Sequence, residues 1–88
     1  MLLLSRVLPG SIPPSLNALQ DIQRAVGQRI KAIRQQKEIT QDQLAELAGL
    51  NRAHLYRLES GRQSMTLRTL KIIADALDVK VAELVKGF

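Results

Sequence analysis

Between Asn51 and Arg62 the chain reads NRAHLYRLESGR, and this stretch gathers the side chains best suited to directional hydrogen bonding. Arg52 and Arg57 each carry a planar guanidinium fork, with Ala53 and Tyr56 in between. Such a fork fits the O6 and N7 acceptors of a guanine, where one bidentate contact discriminates by about 1–3 kcal/mol. The methyl of Ala53 fits against the methyl of a thymine. Each arginine can alternatively hold a phosphate or stay solvated, and the Tyr56 ring can meet a base, pack on sugar and phosphate, or lean on the protein surface. From Arg52 to Lys71 the basic residues are Arg52, Arg57, Arg62, Arg68 and Lys71, against Glu59 alone. That placement, more than the net charge of +5, points to a polyanion as ligand. Catalytic chemistry finds no support. His54 is the single histidine, and no Ser, Cys or carboxylate pair is placed by any motif to work with it as a general base. The chain has no cysteine, which removes disulfides, thiolate metal sites and cysteine nucleophiles. No enzyme, cofactor or metal is expected.

Side chains that share a ligand must share a rigid element. Leu55 and Leu58, three apart, turn one side of a helix inward and leave Arg52, Ala53, Tyr56 and Arg57 on the free sides. Asn51 suits the N-cap of that helix, and Ser60-Gly61 closes it after Glu59. Just upstream, Thr40-Gln41-Asp42-Gln43 has the capping-box pattern and predicts a helix from Gln41 to about Ala48. Gly49 stops it, since a left-handed residue costs glycine little. Leu19, Ile22, Val26, Ile30 and Ile33 recur at helical steps and predict a first helix over about Leu16 to Lys37. A fourth helix follows Thr66, burying Leu67, Leu70, Ile73, Ala74 and Leu77 and stopping near Asp78, and a short fifth spans about Val81 to Val85.

With 88 residues, one Tyr and one Phe, the chain affords one core, built from Leu, Ile, Val and Ala between helices. The expected fold is all-α, a compact five-helix domain over residues 17–88. Residues 1–16, with Pro9-Gly10 and Pro13-Pro14, are expected to form a mobile leader, or an arm that carries Arg6 to DNA or a partner. The apolar runs fall far short of the roughly 20 residues of a bilayer helix. No signal peptide is recognisable, so the expected location is the cytoplasm.

The second and third helices, joined through Gly49, make a helix-turn-helix, and Leu44, Ala45, Ala48, Gly49, Leu50, Leu55 and Leu58 keep its spacing. The chain carries TQ-x-x-LA-x-x-AG from Thr40 to Gly49, L-x-x-x-E-x-G from Leu55 to Gly61, and LxxIAxAL from Leu70 to Leu77. On these motifs, over about Val26 to Leu84, it resembles the phage repressor and Cro family of helix-turn-helix regulators, the xenobiotic-response-element-like group. The resemblance implies sequence-specific binding of double-stranded DNA through the major groove by a dimeric transcriptional regulator, most simply a repressor. It also implies base contacts from the start of the third helix and one turn later, matching Arg52, Ala53, Tyr56 and Arg57. It further implies a backbone clamp from Gln41 and the loop after the third helix, and an ion pair between Arg34 and Glu59.

Gln41, Asn51, Ser60 and Arg62 are placed to hold phosphates on both sides of a groove, and His54 either joins them or meets water. Arg34 is expected to approach a phosphate as well. One such domain reads few base pairs, so two copies with recognition helices about 34 Å apart are expected on an inverted-repeat operator. Val81, Leu84, Val85 and Phe88 supply either that homodimer surface or a cap on the chain's own core. Three biological roles stay open: a stand-alone repressor, a restriction-modification controller, and an antitoxin that docks a toxin. A protein-binding module on the same fold is the alternative from another class.

Overall fold

A computed structural model describes the backbone of residues 14–87 and the side chains of residues 20–87. Phe88 and the expected leader, apart from Pro14–Leu16, lie outside the described residues. The described chain forms α1 (Pro14–Gln36), α2 (Gln41–Ala48), α3 (Arg52–Glu59), α4 (Leu67–Leu77) and α5 (Val81–Val85), with no strand. α1 begins two residues earlier than its apolar pattern indicates, at Pro14. A proline fits there because the first turn has no intrahelical use for the missing N–H.

Side-chain caps start the middle helices. Thr40 and Gln43 form the reciprocal capping box of α2, the Asn51 side chain accepts from the His54 N–H at α3, and Thr66 accepts from the Thr69 N–H at α4. The ends of α1 to α4 share a single device. At α1 the Ile39 N–H donates to Arg34 O and Glu38 N–H to Gln35 O, and the same crossed pair recurs at Gly49-Leu50, Gly61-Arg62 and Asp78-Val79. These are Schellman closures, each with a residue in the left-handed region. At α2 that residue is Gly49, with φ of 69°, whereas α1 uses Glu38 and α4 uses Asp78, each with φ of 57°.

The core is aliphatic. Val26, Ile30, Leu44, Leu55, Leu58, Leu70, Ile73, Leu77 and Leu84 are buried together, and Ile33, Ile39, Leu50 and Val81 pack against them. Two residues assigned to inward faces are exposed: Ile22 at 47% and Leu67 at 83%. Leu67 opens α4, and a helical side chain leans toward the N-terminus, so it points past the end of the core. Ile22 lies toward the N-terminal half of α1, at the rim of an open apolar groove with Val26, Met65, Leu70 and Val85.

Leu84 requires a correction as a dimer-surface residue, because it is fully buried in its own chain's core. α5 is thus a cap through Leu84 and the half-buried Val81, leaving Val85 exposed. Arg29 of α1 secures this cap by donating to the carbonyl oxygens of Glu83 at 2.8 Å and Lys86 at 3.0 Å, groups that so short a helix leaves without intrahelical partners. Among the described residues, no helix is long and apolar enough to cross a membrane.

Candidate nucleic-acid interface

α3 is anchored from beneath and open above. Leu55 and Leu58 are fully buried, while Arg52, Ala53, Tyr56 and Arg57 are exposed. Those four residues and Gln41, the first residue of α2, line one open hollow of about 710 Å³. A smaller hollow of about 140 Å³ beside it is lined by Lys31, Gln41, Tyr56, Glu59 and Ser60. The face is therefore continuous across α1, α2 and α3.

A buried polar cluster sets the height of α3 against the other two helices. Arg34 Nε donates to Glu59 Oε2 at 2.7 Å and Nη2 to Glu59 Oε1 at 3.1 Å, while Nη1 donates to Ile39 O at 2.9 Å. Gln41 Nε2 donates to Glu59 Oε1 at 3.0 Å. One carboxylate at the end of α3 is thus held by α1 and α2 together. The assignment of Arg34 to a phosphate is corrected here: the residue is only 7% exposed, and each guanidinium nitrogen already donates within the fold.

The remaining residues lie around the open face. Asn51 Oδ1 accepts from the His54 N–H at 2.7 Å, so its cap role leaves the amide nitrogen for a ligand. Ser60 is exposed, and its hydroxyl donates to Arg57 O at 3.2 Å. Arg62 is exposed just beyond the turn. His54 is half-buried, with Nε2 3.2 Å from Gln63 Nε2. An amide nitrogen only donates, so this contact is a hydrogen bond in the His54 tautomer whose Nε2 accepts. Val81 and Val85 sit on α5, outside this face.

Three further residues join the site. Gln63 Oε1 accepts from Arg57 Nε at 3.0 Å. Asp42 Oδ1 lies 3.4 Å from Arg52 Nε. Lys31 borders the smaller hollow. Lys31 was legible, standing three residues before Arg34 on a helix and hence on a neighbouring part of the same side. Asp42 was absorbed into the capping-box pattern, and Gln63 lies in a loop where no periodicity marks it.

Residues 30–84 match the sequence profile of the helix-turn-helix family. Over 60 residues the chain is 48% identical to the immunity repressor protein of Bacillus phage phi105, an alignment covering 68% of this chain and 42% of that protein. The chain thus spans less than half the length of that relative. It is 32% identical over 73 residues to the control protein C.SmaI of Serratia marcescens, covering 83% of this chain and 87% of the other. The crystal structure of the restriction-modification controller protein C.AhdI from Aeromonas hydrophila is similar with a TM-score of 0.69 at 34% identity, over 70% of this chain and 94% of that one.

Proposed function

The chain belongs to the helix-turn-helix family of DNA-binding transcriptional regulators, and from that premise we propose that it represses transcription as a dimer that seats α3 in the major groove of an inverted-repeat operator. The observation that carries this reading is the division of α3 into a fully buried side, Leu55 and Leu58, and an exposed side bearing Arg52, Ala53, Tyr56 and Arg57. That exposed side sits beside the amino end of α2, whose N–H groups favour an anion. Arg52 and Arg57 then read guanine edges, Ala53 and Tyr56 supply apolar contact, and Gln41, Asn51, His54, Ser60 and Arg62 hold the flanking phosphates together with Lys31. Half-site spacing near 34 Å requires a second copy. Val85, with Val81 beside it and Phe88 beyond it in sequence, is the surface assigned to that contact.

Selection of bound sequences from random duplex DNA, at fixed salt of about 0.15 M, tests the reading. An enriched inverted repeat with half-sites one turn apart is the expected result. Absence of enrichment by folded protein overturns it in favour of a protein-binding module.

A second reading, a restriction-modification controller, is favoured by the alignments that cover 87% of the control protein C.SmaI and 94% of the restriction-modification controller C.AhdI. Transcription in vitro from the selected operator separates the two. A rise in transcript at low protein supports a controller, and a monotonic fall supports a repressor.

A further inference from the structure

We propose that Gln63, in the loop after α3, is the positioning residue that aims Arg57 and so sets the base preference at the position Arg57 reads. The proposal rests on the reading of Arg57 as a base-contacting residue. A free arginine side chain samples many rotamers, and ordering it on a ligand lowers affinity. Gln63 Oε1 accepts from the Arg57 Nε–H at 3.0 Å. That bond occupies the side of the guanidinium and leaves the Nη1–Nη2 edge for an acceptor pair such as guanine O6 and N7.

The aim is specific because Gln63 is itself held in one orientation. Its Nε2 donates to His54 Nε2 at 3.2 Å, and His54 lies in the first turn of α3 with its backbone N–H capped by Asn51. Turning the amide over would set Nε2 against the Arg57 Nε–H, donor against donor whichever tautomer His54 adopts, so the contact with Arg57 selects this orientation. The residues on either side of Gln63 are also anchored, Arg62 through its backbone and Ser64 through its hydroxyl. The Arg62 N–H donates to Arg57 O at 2.9 Å, and Ser64 Oγ accepts from Gln23 Nε2 of α1 at 2.8 Å. A half-buried amide between two fixed points is a bracket for the arginine it touches.

The test compares wild type, Arg57→Ala, Gln63→Leu and Gln63→Glu by sequence selection followed by competition binding, with thermal unfolding as the control for folding. Arg57→Ala locates the base position that depends on Arg57. Gln63→Leu is expected to lower discrimination at that same position by about threefold to tenfold, the range of one hydrogen bond's typical net contribution, and to leave other positions unchanged. Gln63→Glu keeps an acceptor for Arg57, and its second oxygen accepts from the other His54 tautomer. It is expected to weaken binding to all sequences through its charge while retaining the discrimination that Gln63→Leu loses. Should Gln63→Leu fail to fold, Gln63→Ala takes its place. Unchanged discrimination in the Leu or Ala variant, at a position that Arg57→Ala flattens, overturns the proposal, as does equal loss at every position. If Arg57→Ala alters no position, the base-reading role of Arg57 falls and the proposal falls with it.

Discussion

Arg34 and Glu59, 25 residues apart in the chain, meet through two parallel hydrogen bonds of 2.7 and 3.1 Å, at 7% and 4% exposure. The pair joins the last turn of α1 to the last residue of α3. Since Gln41 also donates to Glu59, the pair fixes the recognition helix relative to the amino end of α2. Buried ion pairs contribute little net stability over apolar residues, but removal of one partner strands the other charge. Glu59→Ala is therefore expected to destabilise the domain by about 3–5 kcal/mol in urea titrations. The double variant Arg34→Met with Glu59→Leu is expected to lie much closer to wild type in stability while losing operator preference, because the cross-helix hydrogen bonds are gone. A single variant with wild-type stability would mean that the remaining guanidinium has found another partner.

Gly27 governs the same crossing from the other side. A Cβ built on it would collide with Leu58 O and lie 2.7 Å from Glu59 O, both backbone atoms that cannot rotate away. Glycine to alanine inside a helix ordinarily stabilises by about 0.5–1 kcal/mol. Here the expected sign is reversed: Gly27→Ala costs about 1–3 kcal/mol as overpacking between α1 and α3. The midpoint of thermal unfolding decides the sign, and an increase would refute the close approach.

How much of this was legible in the sequence depended on how local the signal is. The start of α2 is written in Thr40 and Gln43, the start of α3 in Asn51, and the turn between them in Gly49, each within four residues of what it caps. The outward set on α3 followed from Leu55 and Leu58 alone. Periodicity overreached at Ile22 and Leu67, since a helical face says which side is apolar and not how far the neighbouring elements extend to cover it. Leu84 was ambiguous for the converse reason: an apolar stripe on a short terminal helix does not say which chain buries it. The Arg34–Glu59 pair was legible only through the family motifs, while the third bond of Arg34, to Ile39 O, and the contacts of Gln63 depend on where turns and loops place their partners, so neither pattern nor propensity carried those.

The end of α1 shows a conflict between residue and conformation that mutation can relieve. Glu38 occupies the left-handed region at φ of 57°, where a residue with a Cβ is disfavoured by roughly 1–2 kcal/mol. Glycine removes that penalty but loses more entropy on folding, so Glu38→Gly is expected to gain about 0.5–1 kcal/mol. Asp78→Gly at the end of α4 is expected to gain less, because aspartate tolerates this conformation better than glutamate. Denaturant midpoints measured side by side test both magnitude and order. A loss of stability in Glu38→Gly would show that the glutamate side chain itself stabilises the turn.

Asp42 offers the sharpest separation of affinity from specificity. Its carboxylate lies 3.4 Å from Arg52 Nε, with both side chains mostly exposed, so the pair adds little to folding. In the proposed complex its charge repels phosphates, while its contact with Nε restrains the arginine assigned there to a base. Asp42→Asn removes the repulsion and weakens the restraint. Binding to random-sequence duplex is expected to rise about twofold to fivefold at low salt, a gain that disappears as salt screens the charge. Discrimination at the base assigned to Arg52 in the proposed complex is expected to fall, and stability to change by less than about 1 kcal/mol. Competition assays with operator and random duplex across a salt series measure both effects in one experiment. If random-duplex affinity rises with discrimination intact, Asp42 acts through charge alone and Arg52 is aimed by the DNA itself; if neither changes, the carboxylate lies outside the bound interface.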